Sequence, residues 1–138
     1  YSIIYKSLTY KPHKAEVEPQ LTERNYGIYE SKENSEENRR NYWDLTKNIF
    51  IPSGEKVMDF YHRINKYIQS LNTAENRNKK ILLVSHGGVG RVIDCFFNGL
   101  PENNSLFGML SSNGVVKKYN TNEILTQKPA SGSQPSGM

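Results

Sequence analysis

The sequence predicts an α/β fold in which a mostly parallel sheet is covered by helices on both faces. The run Ile81–Val84 is unbroken aliphatic sequence bounded by lysines and glycines, which is typical of a strand buried on both faces. Apolar residues recur at helical spacing on either side of this run, over Val57–Leu71 and over Val89–Asn98. We therefore predict that Ile81–Ser85 is an interior parallel strand and that both helices pack on it.

The composition favours one domain in a reducing compartment. The chain has 138 residues and a formal net charge of +4, and its basic residues are dispersed, which favours phosphate-like ligands in a general way and does not indicate nucleic acid. The single cysteine, Cys95, cannot form an intrachain disulfide and is predicted to be a buried thiol. No apolar run approaches the length of a membrane span, so we expect a cytoplasmic protein without membrane attachment.

The remaining segments place one domain over residues 1–126. Ser2–Leu8 has the spacing of the last turns of a helix, and the charged run Lys32–Arg40 is predicted to be a solvated helix face or a loop. Gly114–Asn120 is predicted to be the last strand. Residues 127–138 are rich in Ser, Gly and Pro and are predicted to form a flexible tail.

Three histidines are available for chemistry, and only one has a suggestive context. His13 lies in a predicted surface turn between Pro12 and Lys14, and His62 lies at a solvent-facing or flanking position of the long helix. His86 follows the predicted strand and precedes two glycines and a helix, where free amides and the helix dipole favour an anion. On the residues alone, a histidine in an ordinary turn explains His86 equally well.

The stretch LTERNYG, residues 21–27, is the second candidate cluster. It places the carboxylate of Glu23 beside the guanidinium of Arg24, with the phenol of Tyr26 nearby. A salt-bridged turn around Gly27 would explain the same residues, so this cluster alone does not indicate a function.

Three blocks in order, LTERNYG, SGEKVMDFYHRI and ILLVSHGG, resemble the histidine phosphatase superfamily and its phosphoglycerate mutase-like branch. The resemblance spans roughly Tyr1 to Tyr119. It implies a phosphohistidine-type phosphatase or mutase that acts on small phosphorylated metabolites and uses no metal and no cofactor. LTERNYG resembles the mutase form of this block more than the form found in a generic phosphatase. The segment after Gly27 is, however, shorter than mutases usually carry, so we favour a phosphatase.

The resemblance implies two catalytic residues in this chain. Glu23 corresponds to the general acid/base that protonates the leaving oxygen and then activates water. His86 corresponds to the second active-site histidine, which contacts the phosphoryl oxygens. Glu55, at the start of the long helix, is expected to cap or anchor that helix and not to react.

The resemblance also implies residues that bind the substrate. Arg24 and Tyr26 correspond to positions that hold the substrate in the mutases, and Gly87 would contribute its backbone N–H to the phosphate pocket. Arg39 and Arg40 are counterparts of a substrate-binding arginine pair.

The chain departs from the family pattern in one respect. The Arg-His-Gly triplet that ends the first strand in this family, and whose histidine is phosphorylated, does not occur in these residues. His86 follows Ser85 and comes after the glutamate block, so it is not that nucleophile. Because the first strand lies centrally in this fold, we expect exposed strand edges and an apolar groove in this chain. We expect either that a partner chain supplies the missing strand or that these residues are part of a longer protein. A homo-oligomer is the other partner that we expect.

Two other functions remain open. A non-catalytic relative would retain the pocket as a phosphate-binding or interaction module. A dinucleotide site at Gly88-Val89-Gly90 is disfavoured, because the third glycine of the fingerprint and the acidic residue after a second strand are absent.

Overall fold

The computed structural model describes residues 15–109, 114–120 and 122. Three α-helices occur in the described chain, and we number them α1 (Glu36–Tyr42), α2 (Val57–Ser70) and α3 (Gly87–Asn98). Short 3-10 turns cover Pro19–Leu21, Gly27–Tyr29 and Ala74–Asn76. The predicted helix at Ser2–Leu8 and the predicted tail at 127–138 lie outside the described residues.

Helices α2 and α3 form the main packing layer. Both have the amphipathic period that the sequence predicts, and the predicted bounds hold to within two residues at each end. Phe60 and Ile64 of α2 and Val89 and Val92 of α3 are completely buried in one shared hydrophobic core. Gly99, with a φ of 88°, ends α3 in a backbone conformation that favours glycine.

The charged run before Tyr42 forms the short helix α1. Ser35 caps it by accepting a hydrogen bond from the backbone N–H of Asn38, at 3.1 Å. The chain then turns into the core through Trp43, whose carbonyl accepts from the N–H of Leu106 at 3.0 Å. Trp43 thereby becomes the buried link between α1 and the helical layer.

The predicted sheet is not confirmed. Within the described residues there is no β-strand, and the regular pairing is limited to one isolated antiparallel bridge between Asp44 and Ser105. Ile81, Leu82 and Val84 are 40%, 50% and 46% exposed, so burial on both faces is not observed. A strand requires neighbours for its backbone groups, and no described segment pairs with this run.

The segment predicted as the last strand is held to α3 by side chains. Asp94 accepts hydrogen bonds from the Tyr119 hydroxyl at 2.9 Å and from Lys117 Nζ at 3.1 Å. The ring of Tyr119 stacks on Phe97 with centroids 4.5 Å apart. This segment therefore packs beside the helix without forming a described strand.

Candidate functional site

The backbone around Glu23 is fixed by Arg63 of helix α2. Arg63 Nη1 donates to the carbonyls of Gln20 and Thr22, at 2.6 and 3.0 Å. The Nε and Nη2 atoms of Arg63 bind the two carboxylate oxygens of Glu55, each at 2.9 Å. This bidentate pair anchors the start of α2, as expected for Glu55, and one guanidinium thus ties the approach to Glu23 to that helix.

Arg24, the residue after Glu23, is buried. Its side chain is 2% exposed, and its Nε donates to the carbonyl of Glu55 at 3.0 Å while Nη1 donates to the carbonyl of Tyr42. Nη2 is buried and has no hydrogen-bond partner in the described chain. Burial lowers the pKa of Arg24, partly offset by Tyr26 and nearby carboxylates. Two of the three guanidinium nitrogens therefore donate to backbone carbonyls. Substrate contact through Arg24 stays a prediction.

The Glu23 carboxylate lies at the beginning of helix α3. Its Oε2 accepts from the backbone N–H of Gly88 at 2.9 Å, and its Oε1 accepts from the backbone N–H of Arg24 at 2.9 Å. Gly88 belongs to the first turn of α3, whose amides have no partner within the helix and whose dipole favours negative charge. The carboxylate is therefore fixed where an anion is favoured.

His86 stands at the same end of α3. It is the N-cap residue, its side chain makes no capping hydrogen bond, and it is exposed. The preceding residue, Ser85, donates its hydroxyl to the carbonyl of Leu21 at 2.6 Å, which ties this turn to the glutamate segment. The structure thus brings Glu23 and His86, distant in sequence, to one helix end, and Gly87 is the first residue of that helix.

The close approach of Glu23 to α3 depends on glycine at position 88. A Cβ atom there would lie 2.2 Å from Glu23 Oε1 and 2.8 Å from Cη2 of Trp43. Both distances are shorter than real Cβ contacts allow. Only a glycine therefore permits this arrangement of carboxylate, helix and indole.

Aromatic rings and arginines lie near the contact between Glu23 and Gly88. Trp43 lies edge-on to Tyr26, with centroids 6.2 Å apart, and the guanidinium carbons of Arg24 and Arg91 lie 5.2 and 4.9 Å from the Trp43 ring centre. Desolvation, partly offset by Arg24, raises the pKa of Tyr26 to about 12, so its phenol is a neutral hydrogen-bond donor at physiological pH.

Arg39 and Arg40 lie on the exposed side of helix α1. Arg40 forms an i,i+4 ion pair with Glu36 at 2.5 Å, and its guanidinium stacks over Phe107 at 4.7 Å. Among the described residues, neither arginine forms a hydrogen bond or an ion pair with Glu23. Their predicted role in substrate binding stays a prediction.

The arrangement offers acid/base and anion-binding chemistry. A carboxylate held by two backbone N–H groups and an exposed imidazole share one helix end. No cluster of three or more His, Cys, Asp or Glu side chains with the geometry of a metal site occurs among the described residues. Within that same part of the chain, every helix is too short or too polar to cross a bilayer.

Four residues of this region were not predicted from the sequence: Trp43, Arg63, Gly88 and Arg91. The sequence contained a signal for two of them. Gly88 comes two residues after a histidine at a predicted helix start, and Arg91 falls three positions after Gly88 on the same helical face. Trp43 carries no such signal, since only the fold brings it to α3.

The sequence matches the model of one known protein family. The model of the histidine phosphatase superfamily (branch 1) matches residues 5–123, which is most of the chain. The protein therefore belongs to the histidine phosphatase superfamily. Membership implies an α/β fold of the phosphoglycerate mutase type and phosphoryl-transfer chemistry, and members are generally phosphatases or mutases. No curated protein and no solved structure matches the chain.

Proposed function

We propose that this protein is a phosphohistidine-type phosphatase for small phosphorylated metabolites and that Glu23 and His86 form part of its active site. One observation carries the proposal. The Glu23 carboxylate accepts a hydrogen bond from the N–H of Gly88, which lies in the first turn of helix α3. His86 is the N-cap residue of the same helix. A helix N-terminus with a carboxylate and an imidazole beside it suits a phosphoryl group and its leaving oxygen.

Each residue has a distinct task in this proposal. His86 donates a hydrogen bond to the phosphoryl oxygens and stabilises the charge that develops on them in the transition state. Glu23 delivers a proton to the leaving oxygen and later removes one from water. Tyr26 and Gly87, which lie beside these two residues, orient the substrate.

The phosphohistidine mechanism also requires a nucleophilic histidine. No Arg-His-Gly triplet occurs in the 138 residues, and neither His13 nor His62 has that context. We therefore expect these residues alone to show no significant turnover of a phosphate ester. A protein that also contains an Arg-His-Gly strand, in the same chain or from a partner, should be active. We call it the strand-completed protein.

The test compares an aryl phosphate and a sugar phosphate as substrates in the presence of a chelator. The strand-completed protein should hydrolyse both without added metal. His86→Ala should reduce kcat by at least about a hundredfold, the scale of losing one transition-state donor. Glu23→Gln should slow the sugar phosphate more than the aryl phosphate, because only the poorer leaving group needs the proton.

His62→Ala is the matched control, since His62 is an exposed histidine on helix α2, and it should keep kcat within about twofold. Activity of the strand-completed protein that disappears with the chelator would contradict the mechanism. Full activity of the 138 residues alone would contradict it as well.

The second candidate function is a non-catalytic phosphate-binding module. The absence of the Arg-His-Gly triplet from these residues favours it. Saturable phosphate binding without turnover in the strand-completed protein would support this module against the phosphatase.

A further inference from the structure

Arg91 places a positive charge at the Glu23 site without using it in a described ion pair. The residue is half-buried on the second turn of helix α3, and its Nε is buried with no hydrogen-bond partner in the described chain. Its guanidinium carbon lies 4.9 Å from the centre of the Trp43 ring. A buried N–H without a partner is costly, so a ligand that accepts from it would be stabilised.

The position of Arg91 relative to Glu23 follows from the helix. Gly88 and Arg91 are three residues apart and therefore share one face of α3. The Trp43 ring packs against the backbone at Gly88 and against the guanidinium of Arg91. Gly88 is also the residue whose N–H donates to Glu23. The opposing influences of Arg91 and Glu23 on the pKa of Tyr26 place both charges near that phenol.

A second guanidinium faces the same indole. Arg24 lies 5.2 Å from the Trp43 ring centre, is 2% exposed, and keeps a buried Nη2 that no described group accepts from. Of the two carboxylates that act on Arg24, Glu55 is already paired with Arg63, and Glu23 is held by backbone N–H groups. Two cations with unsatisfied N–H groups on one ring therefore leave a positive potential that favours an anion. The chemistry that fits is a dianion with several oxygen acceptors.

We propose that Arg91 is a binding residue for the phosphate dianion, donating its guanidinium N–H groups to phosphate oxygens at the N-terminal end of α3. The inference rests on the proposed function, because it requires the phosphoryl group to occupy the site of Glu23 and His86. The Trp43 ring, whose centre lies 4.9 Å from the guanidinium carbon, restrains the Arg91 side chain before the ligand binds. A planar fork of donors also binds phosphate more specifically than the point charge of a lysine.

The test measures the Kd of inorganic phosphate for the 138-residue chain by titration calorimetry. Arg91→Gln should weaken binding at least about tenfold, and Arg91→Lys, which keeps the charge and loses the fork, about threefold or more. The control Arg77→Gln removes an equal charge from an exposed loop and should stay within about twofold. If Arg91→Gln does not fold, as judged by circular dichroism, the lysine variant decides the question.

The outcomes separate this inference from the proposed function. If the wild type binds phosphate and His86→Ala weakens it, but the Arg91 variants bind as the wild type does, the role of Arg91 is overturned and the proposed site stands. If His86→Ala binds as tightly as the wild type, the proposed site itself fails. Equal weakening by Arg77→Gln and Arg91→Gln would show a non-specific charge effect and would overturn the inference.

Discussion

Replacing Gly88 by alanine should expel the Glu23 carboxylate from its position at helix α3. The new Cβ would lie 2.2 Å from Glu23 Oε1, and an ordinary contact requires about 1 Å more. The carboxylate must therefore withdraw and release the N–H of Gly88, with which it forms a 2.9 Å hydrogen bond. The Trp43 ring, 2.8 Å from the same point, blocks an alternative shift of the helix toward it.

The cost is a difference between opposing effects. Losing a hydrogen bond to a charged group costs about 1.5–3 kcal/mol, and overpacking adds about 1–3 kcal/mol. Alanine in place of glycine favours a helix by about 1 kcal/mol. We expect Gly88→Ala to lower the free energy of unfolding by about 1.5–5 kcal/mol.

A double-mutant cycle with Glu23→Ala isolates the contact. Without the carboxylate the new methyl group keeps only its contact with Trp43, so Gly88→Ala should cost less in that background. The coupling free energy from urea unfolding should be about 1–3 kcal/mol. An identical cost of Gly88→Ala with and without Glu23 would refute the assigned contact.

Further predictions concern the supports of the site. Arg63→Ala should lower the free energy of unfolding by about 2–4 kcal/mol, because it leaves the half-buried Glu55 carboxylate unpaired and frees two carbonyls near Glu23. Lys79→Ala, which removes an exposed ion pair, should cost less than about 1 kcal/mol, and equal costs would contradict the role of Arg63. Burial raises the pKa of Asp94, but hydrogen bonds from Tyr119 and Lys117 outweigh it and hold that pKa below its ordinary value. The contribution of Asp94 to stability is therefore present above its unfolded-state pKa and is lost as the pH falls through its lower folded-state pKa. Asp94→Asn should reduce the loss of stability that is measured in acid.

The helices could be predicted from the sequence because their signal is local. The apolar period of Val57–Ser70 fixes the buried face of α2 by itself. The predicted start of helix α3, Val89, is two residues too late, because the low helix propensity of glycine argued against including Gly87 and Gly88. The sequence could not show that Glu23 accepts the N–H of Gly88, a contact that only the tertiary structure provides.

The sheet and part of the site could not be predicted in the same way. An aliphatic run such as Ile81–Val84 becomes a strand only with neighbours on its edges, and the described chain provides none. The guanidinium of Arg24 has the same chemistry whether it faces substrate or carbonyls, so its hydrogen bonds to the carbonyls of Glu55 and Tyr42 could not be predicted from the sequence. Trp43 and Arg91 meet through packing of separate segments, which leaves no spacing pattern to detect.

The most direct test of the account is an NMR titration of the protein with inorganic phosphate, which follows every backbone amide. We predict saturable shifts confined to residues 23–26 and 86–91, lost in His86→Ala and retained in the control His62→Ala. Saturable shifts centred elsewhere, or shifts that persist unchanged in His86→Ala, would contradict a phosphoryl site at the end of helix α3.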